Sequence, residues 1–336
     1  MAKGVAPAMS LLLWKQGQPH LAAVAGEADP DTVFDLASLT KPLATAVLCL
    51  KFAASGHLPW EKTLGELLGP AAPADKATIT VAQCLAHAAG FPAYQPYFQA
   101  VEKLLPVSRP GLLKSMIMNE PLAHDPGSQA LYSDLGYMLL GLLIQEGTGR
   151  SQDGLVDEAY KEMGLADPPR FLPLGDAPPW PIGRVAPCGP LPGRPRIHGQ
   201  VEDENAFALG GVAGHAGLFG TAAQVAAVMD RLCRNAVGDG PWPAELAGRL
   251  FRLDADTPGS ARTPGFDTPT QPNSAAGDNP PLGVVGHTGF TGVSLWWLPA
   301  ENSGVVLLTN RVALGRDNWK IRQFRGQLHN AAWKEL

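Results

Sequence analysis

The pair of side chains best suited to chemistry in this sequence is a serine and a lysine three residues apart, in Ser38-Leu39-Thr40-Lys41. It is the only S-x-x-K segment in the chain, and it runs into an apolar stretch predicted to be helical. Residues three apart on a helix share a face, and a serine at a helix N-terminus meets free N–H groups and the positive end of the dipole. This setting favours an attacking alkoxide and a bound oxyanion. The alternative is an N-cap serine followed by a solvated lysine.

Two further segments carry side chains or backbone groups suited to catalysis. Tyr132-Ser133-Asp134 precedes a strongly apolar stretch, and a tyrosine at a helix start can act as a general base. Alternatively, the tyrosine packs in the core and the Ser-Asp pair caps the helix. His287-Thr288-Gly289-Phe290 runs into a β-rich segment, where the glycine lets a strand edge approach a substrate closely. The alternative there is a glycine-rich turn.

Other catalytic and metal-binding patterns are absent from the sequence or weak. It contains no G-x-S-x-G, no H-E-x-x-H and no phosphate-binding loop. Asp203, Glu204, His215 and His287 are conceivable metal ligands, but we expect no metal site and interpret His215 as a structural hydrogen-bond partner. The four cysteines form no C-x-x-C pair, which favours buried free thiols over a disulfide framework or a zinc site.

The elements that must position these residues are strands at both ends of the chain and helices between them. Strands are expected at 9–15, 20–26, 292–298 and 304–310, and alternation predicts that one of Trp296 and Trp297 faces the core and the other lies outside. The stretches 167–196 and 254–281 are rich in proline and glycine, and we predict that both are long loops. The closing helix is expected at 317–336, with Asp317 as its N-cap. Further helices are predicted at 41–54, 60–68, 80–89, 133–147 and 222–235.

Strands at both ends predict one sheet assembled from both termini, with the helical middle inserted as a second domain. The fold class is therefore α/β, in the sense of an α+β sandwich whose antiparallel sheet is flanked by helices. We assign 1–56 plus 282–336 to a discontinuous sheet domain, and 57–281 to a mostly helical domain with long loops.

Composition limits the class of protein. With 336 residues, of which 45% are hydrophobic and 17% charged, the chain supports a sizeable core and is not disordered. The formal net charge of −5 argues against a nucleic-acid partner. No apolar run approaches the length of a membrane span, so no membrane partner is expected. The start of the chain lacks a secretory signal, which predicts a cytoplasmic protein, although a chain trimmed of an export leader would look the same.

Together, the three segments resemble, in order and spacing, the S-x-x-K, Y-S-N and K-T-G motifs of the serine β-lactamase and penicillin-binding protein superfamily. The resemblance is greatest to the class C β-lactamase-like branch, which also holds esterases, D-aminopeptidases and cell-wall amidases. Phe34-Asp35-Leu36-Ala37-Ser38 is the usual context of the nucleophile, and Cys84-Leu85-Ala86-His87-Ala88-Ala89-Gly90-Phe91-Pro92 is similar to the family's L-L-x-H-T-S-G-L-P. The resemblance extends from about Met9 to the C-terminus. It implies a β-lactamase/transpeptidase-like fold, with the active site in the cleft between the two domains.

The resemblance also implies a role for each matching residue. Ser38 would be the nucleophile that becomes acylated, Lys41 would help to deprotonate it or stabilise the base, and Tyr132 would be the general base and later the proton donor. The backbone N–H groups of Ser38 and Phe290 would form the oxyanion hole. Thr288 and Gly289 would line the strand edge where the acyl group lies. No metal and no organic cofactor are implied.

Two departures from the family motifs bear on substrate and mechanism. Asp134 replaces the family's asparagine, and a carboxylate so near Lys41 would hold that lysine protonated and leave Tyr132 as the base. An ionised Asp134 also cannot donate to a substrate carbonyl. His287 replaces the lysine of K-T-G and, when neutral, would hold a substrate carboxylate weakly. Strong β-lactamase or carboxypeptidase activity is therefore less expected than hydrolysis of an ester or amide without a terminal carboxylate.

A third departure concerns the start of the chain. The family usually has a helix before its first strand, whereas only 1–8 precedes the strand here. Without that helix, one apolar face of the closing helix would be partly bare.

These observations leave two functions open. The first is a serine hydrolase that acts through an acyl-enzyme on a small-molecule ester, amide or peptide-like substrate, in the manner of an esterase or of a muropeptide amidase or peptidase. The second is a non-catalytic relative that binds peptide or cell-wall fragments in the same cleft, which the departures at Asp134 and His287 motivate. The oligomeric state cannot be derived from the sequence.

Overall fold

The computed structural model describes residues 4–195 and 197–336. Residues 1–3, in the short segment before the first predicted strand, and Arg196, at the end of the predicted loop 167–196, lie outside the described residues. The strands are β1 (Ala8–Lys15), β2 (Gln18–Gly26), β3 (Phe34–Asp35), β4 (Arg170–Phe171), β5 (Leu218–Gly220), β6 (Val285–Thr288), β7 (Ser294–Leu298) and β8 (Ser303–Thr309).

Helices occupy most of the middle of the chain. The α-helices are α1 (Ala46–Ala54), α2 (Leu64–Leu68), α3 (Val81–Leu85), α4 (Phe98–Val101), α5 (Arg109–Asn119), α6 (Asp134–Thr148), α7 (Gln152–Glu162), α8 (Glu204–Ala208), α9 (Ala222–Ala236), α10 (Ala244–Arg249) and α11 (Lys320–Ala332). A 3₁₀ turn at Ala37–Leu39 and a π-helical turn at Lys41–Thr45 lead into α1. Other 3₁₀ turns lie at Gly69–Ala71, Pro106–Ser108, Ile182–Arg184, Pro299–Glu301 and Arg311–Leu314.

The main sheet is antiparallel, with the strand order β2-β1-β8-β7-β6. Its centre joins the two ends of the chain, because β1 pairs with β8 from Met9 opposite Thr309 to Trp14 opposite Gly304. The predicted antiparallel sheet built from both termini is therefore confirmed. A small second sheet, β3-β5-β4, lies at the entry to the Ala37–Leu39 turn.

Helices cover both faces of the centre of the main sheet, at β1 and β8. On one face, Ile321 of α11 packs against Met9 and Leu307. On the other face, α9 contacts β1 and β8 and buries Met229 in the same core as Leu12. Strands that are covered on both sides have no polar face, which explains why the sequences of β1 and β8 are nearly continuous apolar runs. The sequence-based division placed α9 in the helical domain, although it packs on the sheet, and that division remains a prediction.

The prediction that one of Trp296 and Trp297 lies outside the core is wrong. Their exposed fractions are 2% and 0%. Trp297 belongs to the main core, whereas Trp296 packs with Ala276 and Trp333 on the opposite face. Alternation does send the two rings to opposite sides, but the loop 254–281 and the end of the chain cover the second side.

The closing helix starts later than predicted. It begins at Lys320 with Trp319 as its N-cap, so Asp317 does not cap it. The guanidinium of the buried Arg311 donates hydrogen bonds to the carbonyls of Arg316 (2.7 Å) and Asn318 (3.0 Å), which holds this stretch as a loop.

The partly bare apolar surface expected on the closing helix lies instead on an edge strand. Ile321, His329 and Ala332 of α11 are buried. Every residue of β2 is exposed, and Leu21 and Val24 are 41% and 43% exposed. An uncovered apolar edge strand of this kind can pair with another chain.

The expectation that no apolar run approaches the length of a membrane span does not hold for Ala37–Ala54. Its 18 residues have a mean hydropathy of 1.2, which by length and composition alone is enough to cross a membrane. However, 72% of it is buried inside the protein, and its α1 portion lies in the main core with Leu48 and Leu50 fully buried. A core position accounts for this composition. The four cysteines are free thiols; Cys188 is half-buried and the other three are buried.

Candidate active site

Ser38 stands on a sharp turn between strand β3 and the first helical turns. The residue before it, Ala37, has a φ of +46°, a left-handed conformation that costs an alanine about 1–3 kcal/mol and that clusters at functional sites. One turn later, the Nζ of Lys41 lies 3.0 Å from the Oγ of Ser38. The S-x-x-K spacing thus places both groups on one face, as the sequence analysis expected.

Lys41 is fully buried and is surrounded by oxygen atoms. Its Nζ donates to Ser38 Oγ and to the carbonyl of His215 (3.2 Å), and lies 2.7 Å from Oδ1 of Asp134. An ammonium has three N–H donors, and three oxygens are within reach. Burial lowers the pKa of Lys41, but the Asp134 carboxylate and the Tyr132 hydroxyl outweigh burial and raise that pKa above its ordinary value. Lys41 is therefore an ammonium at neutral pH.

Tyr132 approaches Ser38 from the helical region. Its hydroxyl donates to Ser38 Oγ over 2.9 Å, and its ring lies 4.9 Å from the Lys41 Nζ. Burial raises the pKa of Tyr132, and the charge of Lys41 offsets this only in part. The resting hydroxyl is therefore neutral, and the site contains Ser-OH, Tyr-OH and a lysine ammonium in mutual contact.

The segment around Tyr132 is held by a cap and by a buried histidine. Ser133 is the N-cap of α6, since its Oγ accepts from the N–H of Leu135 at 3.1 Å. Its own N–H donates to Nδ1 of His87, whose ring centroid lies 4.6 Å from that of Tyr132. Burial lowers the pKa of His87 well below 6.5. His87 is thus a neutral, hydrogen-bonded core residue, and it supports the Tyr132 ring.

The end of strand β6 comes close to the nucleophile because residue 289 is a glycine. A Cβ on Gly289 would lie 2.5 Å from Cγ2 of Val293 and 3.0 Å from the carbonyl oxygen of Leu36. The next N–H, that of Phe290, and the N–H of Ser38 have no acceptor among residues 4–195 and 197–336. Neither predicted oxyanion donor is therefore used by the described part of the chain itself, and Thr288 and Gly289 line the same cleft.

His287 lies beside this strand edge but presents no charge to the cleft. It is 3% exposed, and its Nδ1–H donates to the carbonyl of Thr288 at 2.8 Å, because a carbonyl oxygen can only accept. Burial lowers its pKa well below 6.5, and the charges of Lys41 and Arg262 lower it further. Arg262 is one of several arginines that line the cleft, and its guanidinium lies 5.4 Å from the centre of the Tyr132 ring and 3.3 Å from Oδ1 of Asp267.

These groups line one cleft of about 630 Å³. Asp203 and His215 also line the cleft, and Nε2 of His215 contacts Oδ1 of Asp203 at 2.8 Å. Burial alone would raise the pKa of Asp203, but His215 lowers it to about 2. His215 is thus a hydrogen-bond partner, as predicted. Within the part of the chain that the structure describes, no three His, Cys, Asp or Glu side chains could hold a metal ion.

The structure brings all the predicted site residues to this cleft and adds three that the sequence analysis did not assign. Asp35 and Arg262 line the cleft, and His87 supports Tyr132. Asp35 and His87 lie within segments that resemble the family, so those segments could have indicated them. Arg262 lies in the predicted loop 254–281, where periodicity carries no signal.

Comparison with known proteins identifies the family. The sequence model of the Beta-lactamase family matches residues 1–327. This chain belongs to the Beta-lactamase family. A protein of Escherichia coli O157:H7 named as a D-alanyl-D-alanine carboxypeptidase is 31% identical over 314 residues, covering 85% of this chain and 70% of the relative.

Solved structures show the same fold as this Beta-lactamase family chain. A penicillin-binding protein homologue from Caulobacter crescentus has a TM-score of 0.70 at 20% identity, covering 100% of this chain and 94% of the other. A D-alanine carboxypeptidase from Burkholderia cenocepacia has a TM-score of 0.67 at 17% identity, covering 99% and 95%. Membership of the Beta-lactamase family and the named relatives support serine hydrolase-type activity in general.

Proposed function

We propose that this protein hydrolyses a small ester or peptide-like amide through an acyl-enzyme on Ser38. The observation that carries the proposal is the contact of Ser38 Oγ with both Lys41 Nζ (3.0 Å) and the Tyr132 hydroxyl (2.9 Å). A serine becomes a nucleophile when a neighbouring group accepts its proton and a cation stabilises the alkoxide. The free N–H groups of Ser38 and Phe290 are suited to the oxyanion that attack on a carbonyl creates.

Tyr132 is the group that moves the proton. Lys41 is an ammonium and has no lone pair to accept one, whereas the Tyr132 oxygen has. In acylation, Ser38 Oγ forms a bond to the carbonyl carbon and passes its proton to the Tyr132 oxygen. Tyr132 in turn gives its own proton to the leaving-group nitrogen or oxygen as that bond breaks. Tyr132 therefore needs no phenolate in the resting enzyme, in agreement with its raised pKa.

Deacylation runs through the same groups in reverse. Water attacks the acyl carbon and gives a proton to Tyr132, and Ser38 recovers a proton as its bond to the acyl carbon breaks. Throughout, Lys41 stabilises negative charge on Oγ while Asp134 balances the ammonium. Lys41 is thus an electrostatic partner of the nucleophile.

The leaving-group side of the cleft offers a guanidinium to an anionic substrate. The neutral, buried His287 argues against a strong carboxylate site of the lysine type. Arg262 lies beside Tyr132 and is 19% exposed, so a leaving group that ends in a carboxylate can be held there. This position of Arg262, together with the relatives named as D-alanyl-D-alanine carboxypeptidases, supports short peptides with a free carboxyl end as proposed substrates.

The acyl-enzyme is tested by intact-mass spectrometry after incubation with a p-nitrophenyl ester or a fluorophosphonate. Wild-type protein is expected to turn over the ester and to gain one phosphonyl group on Ser38. Ser38→Ala should do neither, while Ser115→Ala, a matched change on helix α5, should behave as wild type. Absence of labelling and turnover in folded wild-type protein would contradict the proposal and favour a non-catalytic binding protein.

Arg262→Gln tests the leaving-group side separately. A hydrogen bond to a charged group contributes about 1.5–3 kcal/mol, so this variant should raise KM about tenfold or more for a peptide ending in D-alanyl-D-alanine. KM for the same peptide with an amidated end, and for the p-nitrophenyl ester, should change little. An equal change for the free and amidated peptides would refute a role for Arg262 in binding the carboxylate.

A further inference from the structure

A buried carboxyl group lies directly behind the nucleophile turn. Asp35 is 3% exposed and lines the active-site cleft. Its Oδ1 accepts from the N–H of Ala37 at 2.8 Å, and its Oδ2 accepts from the N–H of Glu202 at 2.7 Å. Both bonds come from backbone groups, and among the described residues Ser38, Lys41 and Tyr132 make no hydrogen bond to this side chain.

The bond to Ala37 holds the strained residue before the nucleophile. Ala37 has a left-handed φ of +46°, and an aspartate side chain that accepts from the N–H two residues on stabilises such a turn. The conformation of Ala37 sets the direction of the next N–H, that of Ser38. Asp35 thereby orients one of the two oxyanion donors.

The same residue also fastens the second donor. The main-chain carbonyl of Asp35 accepts from the Oγ1 of Thr291 at 2.9 Å. Thr291 is 1% exposed and directly follows Phe290, whose N–H is the other oxyanion donor. Asp35 therefore connects the turn that carries Ser38 to the turn that carries Phe290, through its side chain in one direction and its backbone in the other.

We propose, on the basis of the acyl-enzyme function above, that Asp35 is a positioning residue. Its ionised carboxylate holds the Ala37 turn that directs the Ser38 N–H, its main-chain carbonyl holds the turn of the Phe290 N–H, and turnover falls when the carboxyl group is protonated. An ionised carboxylate accepts at both oxygens, whereas a protonated one turns an oxygen into a donor that faces a backbone N–H. Protonation would therefore release either Ala37 or Glu202. We therefore expect kcat to fall at low pH as Asp35 is protonated. This fall is called the acid limb of the pH profile.

The surroundings of Asp35 place this titration near neutral pH. Burial raises its pKa from 3.8 to about 7; the two backbone hydrogen bonds lower it, and the charges of Glu202 and Asp203 raise it. Among the described residues, Cys188 and Arg194 also face it. The Glu202 carboxylate is itself paired with Arg316.

The test is the pH dependence of kcat and KM for a p-nitrophenyl ester in the full chain. Wild type should show an acid limb centred near the pKa of Asp35. Asp35→Asn should lower kcat about a hundredfold, as loss of an oxyanion donor does, leave KM nearly unchanged and abolish the limb. Asp31→Asn, a matched change at an exposed carboxylate on the loop that precedes β3, should retain both kcat and the limb.

Two further variants test the role of Asp35 without changing Asp35 itself, and they replace the asparagine variant if that variant does not fold. Glu202→Gln keeps the backbone N–H that binds Asp35 but removes a neighbouring negative charge, so it should move the acid limb to lower pH. Thr291→Val removes the hydroxyl bond to the Asp35 carbonyl, and should lower kcat about tenfold at an unchanged limb. A purely structural role for Asp35 would not shift the limb in Glu202→Gln.

Two results would contradict a positioning role for Asp35. An unchanged limb in Glu202→Gln, or wild-type kcat in a folded Asp35→Asn, would overturn the role of Asp35. Fluorophosphonate labelling of Ser38 in wild type separates this failure from failure of the hydrolase proposal, because labelling depends on the nucleophile and not on the acid limb. Loss of the limb together with a low kcat at unchanged KM supports the role.

Discussion

Replacing Asp134 with asparagine tests the ion pair that keeps Lys41 protonated. Oδ1 of Asp134 lies 2.7 Å from the Nζ of Lys41, whose side chain is 0% exposed. Asp134→Asn keeps the shape of the side chain but leaves a buried ammonium without a counter-ion. Breaking a buried pair in this way lowers the free energy of unfolding by about 3–5 kcal/mol.

The loss of unfolding free energy in Asp134→Asn must depend on pH, because the unpaired Lys41 can lose its proton. From its ordinary pKa of 10.5, deprotonation costs about 5 kcal/mol at pH 7 and about 2 kcal/mol at pH 9. These values are the cost of folding with Lys41 neutral, and they fall by about 3 kcal/mol between pH 7 and pH 9. The variant should therefore be about 3–5 kcal/mol less stable than wild type at pH 7, and this difference should shrink by up to about 3 kcal/mol at pH 9.

Wild type and Asp134→Asn should also differ in the direction in which the titration of Lys41 changes stability with pH. In wild type the pKa of Lys41 is raised, so its stabilisation is present below pH 10.5 and is lost as pH rises through the folded pKa. In Asp134→Asn, burial acts without the carboxylate and lowers the pKa of Lys41. The native state then binds fewer protons than the unfolded state, and stability rises with pH over that range.

Urea unfolding followed by circular dichroism between pH 7 and pH 9 measures both effects. Glu146→Gln, which removes a half-exposed partner of Lys114, is the matched control and should cost less than about 1 kcal/mol at every pH. If Asp134→Asn is as stable as wild type at pH 7, or if the stability difference does not shrink towards pH 9, Asp134 is not the counter-ion of Lys41.

Two further predictions concern the geometry around Ser38. Tyr132→Phe should lower kcat about a hundredfold or more, since the phenyl ring keeps the packing but cannot relay a proton; a near-normal rate in steady-state ester hydrolysis would mean that Lys41 is the working base. Gly289→Ala should also lower kcat, because its Cβ would lie 3.0 Å from the Leu36 carbonyl and push the strand away from the nucleophile turn. Gly183→Ala, on the exposed 3₁₀ turn Ile182–Arg184 with nothing within 4 Å, is the control, and equal kcat values for the two alanine variants would refute the close-approach argument.

Local patterns were sufficient to predict part of this protein. Ser38 and Lys41 are related by one helical turn, so their spacing along the chain already implies contact. Tyr132 precedes a strongly apolar helix, and apolar runs at both ends predicted the strands of one sheet. The short strands β3, β4 and β5 escaped prediction, because two- and three-residue strands are too short to show a period.

What the sequence by itself determined is the chemistry available in this protein: a serine with a lysine one turn away, a tyrosine at a helix start, and an aspartate and a histidine in place of an amide and a lysine. Tertiary structure alone decided the rest. Arg262 reaches Tyr132 across 130 residues of chain from a loop without periodicity. Asp35 reaches Glu202 and Thr291 across 167 and 256 residues. The physical reason is that helical and strand periods encode only neighbours on one element, whereas burial, pKa and contact between elements depend on how the whole chain packs.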